Sequence, residues 1–147
     1  MKNSIIEIFD RDIIKLKDEI IAYKDEKNLW LTSGTISNSA GNLALHLVGN
    51  LNHFIGKVLG KNNYVRKREE EFSLKNIPAA QLLVMISQVK NIVIDILTSM
   101  DENDLGSEFP EKKHDKILTT DFMLLHLLAH FNYHLGQINY HRRLLDN

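Results

Sequence analysis

Cysteine is absent from the 147-residue chain. Disulfides, zinc fingers, iron–sulfur clusters and a cysteine nucleophile are therefore excluded, because each needs a thiol from the protein itself. Any metal ion must use histidine, carboxylates or water as ligands. Any thiol that takes part in the chemistry must arrive with a substrate.

An excess of charge of one sign is also lacking, because 18 basic and 19 acidic residues give a formal net charge of −1. This balance gives no reason to expect nucleic acid or an anionic membrane as a partner. The beginning of the chain turns acidic at Glu7, too early for a secretory signal. We therefore expect a cytoplasmic protein with no segment of membrane-spanning length.

Proline is scarce, and its two occurrences, Pro78 and Pro110, both fall between segments with helical spacing. Hydrophobic residues make up 44% of the chain and charged residues 25%, which is typical of a globular domain rather than a disordered one. The length fits one ordinary domain. We therefore predict a single domain over residues 1–147.

Four segments carry apolar residues at helical spacing, and no strand-like alternation of useful length occurs. The predicted helices cover about 4–27, 37–60, 78–100 and 119–144. Two extended polar connections, 61–75 and 101–116, separate the second helix from the third and the third from the fourth. The sequence thus predicts an all-α fold, a four-helix bundle with two extended connections.

The fourth predicted helix contains three histidines four residues apart, His126, His130 and His134. A four-residue step turns about 40° around a helix axis, so the three rings share one face. Neutral imidazole is the commonest metal ligand, and it is costly to bury without a partner. No glutamate follows the first histidine, so hydrolysis of the zincin type is not expected.

The second predicted helix contains His46, which shares a face with Asn50 and His53. Facing helices of a bundle can place His46 within reach of His130 and His134. A divalent ion held by such imidazoles would keep open positions for water or substrate. The alternative is that the histidines pack in the core, bonded to other groups, and bind no metal.

The segments Asn42–Asn50 and His126–Ile138 resemble, in order, the two signatures of the DinB-like superfamily of metal-binding four-helix proteins. The resemblance covers essentially the whole chain. It implies a bundle of the DinB-like type in which His46, His130 and His134 ligate a divalent ion, either zinc, nickel, iron or manganese. His126 is not among the ligands that the resemblance implies.

Two alternative functions are considered, one implied by the resemblance and one by the lack of an evident acid–base pair around the histidines. Proteins of this superfamily include transferases and isomerases that use small thiols such as glutathione, mycothiol or bacillithiol, so one function is a metal-dependent thiol transferase. The ion would bind the sulfur of a thiol cosubstrate and lower its pKa. The other function is a non-catalytic, metal-binding or stress-associated module. Related bundles often pair, so a homodimer is also expected, and no catalytic residue is assigned.

Three further side chains are candidates for a supporting role. Asn50 and Gln137 could bond a ligand ring or a metal-bound water, or could make ordinary interhelical hydrogen bonds. His126 is expected in the core or as a partner that orients a ligand ring.

The remaining candidates are expected at the surface. Arg66 and Arg68 could clamp a carboxylate of a charged thiol, although a solvated loop paired with the following glutamates is the favoured interpretation. His53 is expected at the rim of the site or in packing, and His114 on an exposed loop. His141 is expected to be solvated at the end of the fourth helix, where the helix dipole favours it.

Overall fold

A computed structural model describes all residues, 1–147, and consists of helices without β-strands. The five α-helices are α1 (Lys2–Ile21), α2 (Ala40–Leu51), α3 (Arg68–Ser73), α4 (Ala79–Ser99) and α5 (Thr120–Leu145). A π-helical segment continues α2, and there are two short 3₁₀ helices, which cover Asn52–Leu59, Glu26–Trp30 and Glu102–Gly106. The all-α prediction is confirmed.

The core forms where apolar stripes of the long helices meet. On α1 the buried residues follow helical spacing, at Ile5, Phe9, Ile13, Leu16 and Ile20. This face packs against α4 and α5, while α2 packs against both of them from another side. The result is one cluster of 29 buried hydrophobic residues, which holds α2 and α5 side by side.

Helix α2 is buried along its whole length, including its polar residues Asn42, His46 and Asn50. Ser39 caps its start, since the hydroxyl oxygen accepts a hydrogen bond from the backbone N–H of Asn42 at 3.2 Å. Buried polar groups are normally hydrogen-bonded, so the polar residues of α2 need partners from neighbouring elements. This requirement brings the loop after α2 over the helix.

The second predicted helix is not a continuous α-helix, because residues 52–59 wind as a π-helix. A π-helix has more residues per turn, which rotates later side chains away from their α-helical positions. His53, the second residue of this segment, was expected at the rim of the site or in packing. Its side chain is 20% exposed, its ring lies edge-on to that of Phe54, and its Nε2 lies 3.1 Å from both carboxylate oxygens of Glu111.

Two features differ from the prediction, the end of α1 and the structure of the connection after α2. Helix α1 ends at Ile21, several residues early, because the backbone N–H groups of Lys24 and Asp25 donate to the carboxylate of Asp146. These bonds turn the chain away from the axis of α1. The polar connection after α2 contains the short helix α3, whose side chains reach the candidate site.

Helix α4 is long and apolar enough to cross a membrane by length and composition, so the expectation of no such segment was wrong. The core helices of soluble proteins can meet the same criterion. One face of α4 is buried at Leu82, Ile86, Val89, Val93 and Leu97. Its outward face carries the polar residues Gln81, Gln88, Asn91, Asp95 and Thr98, so α4 is amphipathic.

Candidate metal centre

Three imidazoles meet between α2 and α5. His46 projects from α2, and His130 and His134 project from consecutive turns of α5; one ring nitrogen of each lies within 4.8 Å of the others. The Nε2 atoms of His46 and His130 are 3.1 Å apart. Two nitrogens that share one ion at about 2.0–2.1 Å are separated by roughly 3 Å. The predicted convergence of the two helices is thus observed, at a spacing that fits a shared ion.

The ring nitrogen of His46 that faces away from the cluster, Nδ1, which we call its outer nitrogen, is hydrogen-bonded to a buried carboxylate. Nδ1 of His46 donates to Glu71 Oε1 at 2.9 Å, and Arg66 donates two N–H groups to the same carboxylate, each at 2.9 Å. Burial works to raise the pKa of Glu71, but the hydrogen bonds from His46 and Arg66 outweigh it and hold the pKa below its usual value. The ionised carboxylate keeps the proton on Nδ1, which leaves the Nε2 lone pair directed at the cluster.

Helix α2 is shaped to accept this carboxylate. A Cβ atom at Gly49 would collide with the carboxyl group of Glu71, so the glycine provides the space that the carboxylate occupies. The amide of Asn42 donates to the backbone oxygens of Glu71 and Leu74 at 2.9 and 2.8 Å. Helix α3 is therefore attached to α2 at both its backbone and its side chain.

The outer nitrogen of His134 also has a partner. Nδ1 of His134 donates to Gln137 Oε1 at 2.7 Å, one turn further along α5. Gln137 was one of the two side chains considered for this role, and the structure places it there. The bond fixes the tautomer of His134 with Nε2 free to accept a cation.

His130 is neutral in this setting. Burial, together with the neighbouring rings of His134 and His46, lowers its pKa to about 3. Its Nδ1 is buried and has no hydrogen-bond partner. A deprotonated imidazole is the form that ligates metals, so the donor chemistry of the cluster fits a divalent cation.

A cleft of about 500 Å³ opens beside the cluster. His134 and Gln137 form part of its wall, together with Ile36, Leu43, Tyr133 and Tyr140. Its lining contains no aspartate, glutamate, lysine or arginine. A small molecule of low polarity could therefore reach the imidazole of His134 from solvent.

The chain was compared with known proteins. The sequence model of one family, described as a protein of unknown function (DUF1572), matches residues 3–147. The chain belongs to the DUF1572 family. No curated protein matches it. Membership of DUF1572 assigns no activity, so the function must be argued from the histidine cluster.

A second polar group in this DUF1572 protein lies at the edge of the cluster. The ammonium of Lys113 donates to Nε2 of His126 at 2.5 Å and lies 5.4 Å from the ring centroid of Phe54. His126 is therefore bonded to a lysine, and no hydrogen bond joins it to a ligand ring. The side-chain oxygen of Asn50 is buried without a partner, so its expected bond to a ligand ring is not observed.

The expectation for His141 was wrong. This residue is only 4% exposed; its Nδ1 accepts from the hydroxyl of Tyr23 at 2.7 Å, and its Nε2 donates to the carbonyl of Leu31 at 2.8 Å. The segment after α1 folds back over the end of α5 and covers the ring. His114, by contrast, is exposed as predicted.

The two arginines of the loop also differ from the favoured interpretation. Arg66 does pair with one of the following glutamates, but the pair is buried: the side chains of Arg66 and Glu71 are 14% and 7% exposed. Arg68 lies over the ring of Phe72, 5.4 Å from its centroid. In this DUF1572 protein the loop is therefore part of the candidate site, and Glu71 is the contributor that the sequence did not indicate.

Proposed function

We propose that this protein is a metal-binding four-helix bundle of the DinB-like type, in which His46, His130 and His134 hold a divalent ion. The observation that carries the proposal is the convergence of three imidazoles, two of them with the outer nitrogen bonded to Glu71 or Gln137. A bound ion would act as a Lewis acid that lowers the pKa of a coordinated thiol. Zinc, nickel, iron and manganese are all candidates, because imidazole ligates each of them.

The enzyme function that this site supports best is a thiol transferase. In such a transfer the cosubstrate thiol loses its proton to solvent, its sulfur bonds to an electrophilic carbon, and the leaving group departs with the bonding electrons. The cleft beside His134, whose lining has no acidic residue, lysine or arginine, offers a place for the electrophile, with Ile36 and Tyr140 on its wall. The chain contains no cysteine, so the sulfur would come from a low-molecular-weight thiol.

Metal binding is tested by elemental analysis of protein that is purified without an affinity tag. We expect a stoichiometric divalent metal in the wild type and its loss in His46→Ala and His130→Ala. His114→Ala is the matched control, because this histidine is exposed on a loop and outside the cluster. A wild-type protein that carries no metal and takes up none when offered would show that the histidines only pack.

Binding of exogenous ligands distinguishes the enzyme hypothesis from the hypothesis of a non-catalytic module. Cobalt-substituted protein is titrated with thiols while its visible spectrum is recorded, and a spectral shift indicates an open position. Metal-dependent turnover of a thiol with monobromobimane or chlorodinitrobenzene would then support the transferase. A spectrum that does not respond to any thiol, with no turnover, would favour the metal-binding or stress-associated module.

A further inference from the structure

A lysine stands at the edge of the histidine cluster, beside the turn of α5 that precedes His130. The ammonium of Lys113 donates to Nε2 of His126, and His126 lies one turn, about 5.4 Å, before His130 on the same face of α5. Lys113 reaches this position from the connection between α4 and α5 and lies over the ring of Phe54, just beyond the end of α2. It therefore touches both the continuation of α2 and α5, the helices from which the three clustered histidines project.

Both contacts of this ammonium are with neutral groups. Burial lowers the pKa of His126, and the charge of Lys113 lowers it as well, so the ring is uncharged at neutral pH. No carboxylate lies within 4 Å of the ammonium, and Glu111, two positions earlier, is hydrogen-bonded to His53 instead. Lys113 is half-buried, and a partly desolvated charge with only neutral contacts is poorly compensated.

A second positive charge acts on the same region. Burial lowers the pKa of Lys113, and the guanidinium of Arg66 lowers it as well, because the two like charges repel. Glu71 compensates Arg66, since both of its oxygens accept from the guanidinium at 2.9 Å, but no carboxylate does the same for Lys113. A divalent ion on the histidines would add more positive charge. The region beside His126 thus favours an anion.

Two polar atoms near this region are buried without a hydrogen-bond partner, Oδ1 of Asn50 and Nδ1 of His130. Helices α2 and α5 run in opposite directions, because Lys113 joins a residue that follows α2 to the turn that precedes His130. Asn50, one turn beyond His46, therefore lies level with His126. Buried polar groups are nearly always hydrogen-bonded, so these two atoms mark a place where a water or a polar part of a ligand would bind.

We propose that Lys113 and His126 mark an anion-binding position, which holds the carboxylate of the molecule whose sulfur coordinates the ion. The proposal rests on the metal-dependent thiol chemistry proposed above, and it names the class of cosubstrate: a small thiol that carries a carboxylate. One turn of helix separates His126 from His130, and a chain of about two carbons between sulfur and carboxylate spans a similar length. Sulfur and carboxylate can thus be held together, which orients the thiol before it meets the electrophile.

Cobalt-substituted protein tests the proposal with a matched pair of thiols. These are 3-mercaptopropionate and its amide, 3-mercaptopropionamide, which differ in the charged group. The visible spectrum gives a Kd for each thiol. We expect the preference for the carboxylate over the amide to fall at least about tenfold in Lys113→Met, because the variant keeps an apolar stem on Phe54 but lacks the charge that the carboxylate binds.

Two further variants serve as controls. Lys113→Arg keeps the positive charge and should keep the preference for the carboxylate. Lys112→Met removes the neighbouring charge, which is exposed, and should leave the ratio of the two Kd values unchanged. All three variants should take up cobalt like the wild type, because none of them changes a histidine of the cluster.

The outcomes separate this inference from the function on which it rests. A protein that takes up no cobalt would overturn both. Cobalt uptake with the same Kd ratio in wild type and Lys113→Met, or with no response to either thiol, would overturn the anion-binding position and leave the metal site standing. Equal losses of preference in Lys113→Met and Lys112→Met would also overturn it, because the general charge of the loop would then be sufficient.

Discussion

Two of the three clustered histidines have their outer nitrogen bonded to a side-chain oxygen, and the third does not. His46 is held by Glu71 and His134 by Gln137, while Nδ1 of His130 has no partner. The orientation of His130 therefore depends on packing and on the contact between its Nε2 and that of His46. Because only a carboxylate adds negative charge next to a ligand ring, Glu71 should matter more to a bound cation than Gln137.

Replacement of Glu71 tests this difference. We expect Glu71→Gln to lower the affinity for a divalent ion about 10–100-fold, because the amide holds the ring of His46 less firmly and adds no negative charge. Competition titration with a chelator measures the change. Glu69→Gln, on the exposed side of the same short helix, should leave the affinity unchanged. Equal affinities in wild type and Glu71→Gln would mean that the carboxylate only holds α3 in place.

Gly49 makes the approach of Glu71 to α2 sterically possible. Gly49→Ala should lower the free energy of unfolding by about 1–3 kcal/mol, because the added methyl group collides with a buried carboxylate. Urea denaturation measures the loss. Gly106→Ala is a control with nothing within 4 Å of its Cβ, and its effect should stay within about 0.5 kcal/mol. A neutral result for Gly49→Ala would show that Glu71 can move away without cost.

Helices α1 and α5 are joined by a buried carboxylate. Asp12 of α1 is fully buried and accepts hydrogen bonds from Arg11 and from the amide of Asn132 on α5, the latter at 2.7 Å. Burial works to raise the pKa of Asp12, but these hydrogen bonds outweigh it and hold the pKa below its usual value. We therefore expect the stability of the contact between the two helices to depend on pH.

The direction of this pH dependence follows from the lowered pKa. Asp12 contributes stability above its unfolded pKa of about 3.9, and the contribution is lost as the pH falls from about 5 through the folded value. We expect Asp12→Asn to be less stable at pH 7 by about 1–3 kcal/mol and to lose less stability on acidification. Chemical denaturation at about one-unit steps between about pH 3 and about pH 7 would measure both effects. Parallel curves for the two proteins would contradict the prediction.

At the level of elements, the sequence predicts the long helices well, but it does not predict where a helix departs from regular α-helical geometry. Apolar spacing locates α4 and α5 to within a residue or two, and it puts His46 and His130 on faces that meet. The π-helical segment has no such pattern in the sequence, so it was predicted as a continuation of the α-helix, and the contact of His53 with Glu111 was not foreseen.

The partners of buried polar side chains are equally hard to foresee, because they depend on contacts between distant segments. His141 stands beside two arginines and was expected in solvent, yet Tyr23 and Leu31 cover it from a segment 110 or more residues away. Glu71 is one of three consecutive glutamates, and only the fold selects it for His46. The sequence predicts which residues could ligate a metal, but the groups that orient them come from tertiary structure.

For the whole molecule, metal binding should increase stability. A ligand that binds only the folded state adds about 2.7 kcal/mol at a concentration 100 times its Kd, and for a chain of this size each kcal/mol corresponds to about 2–4 °C in Tm. We therefore expect added divalent ion to raise the Tm of metal-free protein, measured by differential scanning fluorimetry. His134→Ala should remove the increase, while His53→Ala, outside the three-histidine cluster, should keep it.

The cluster draws its members from points far apart in the sequence, since 84 positions separate His46 from His130. During synthesis, α2 leaves the ribosome long before α5 is translated. A nascent chain can thus offer a single one of the three imidazoles until α5 emerges and docks. Loading with metal would be a late event in the life of the polypeptide, and fragments that stop before α5 would not compete for the cell's metal supply.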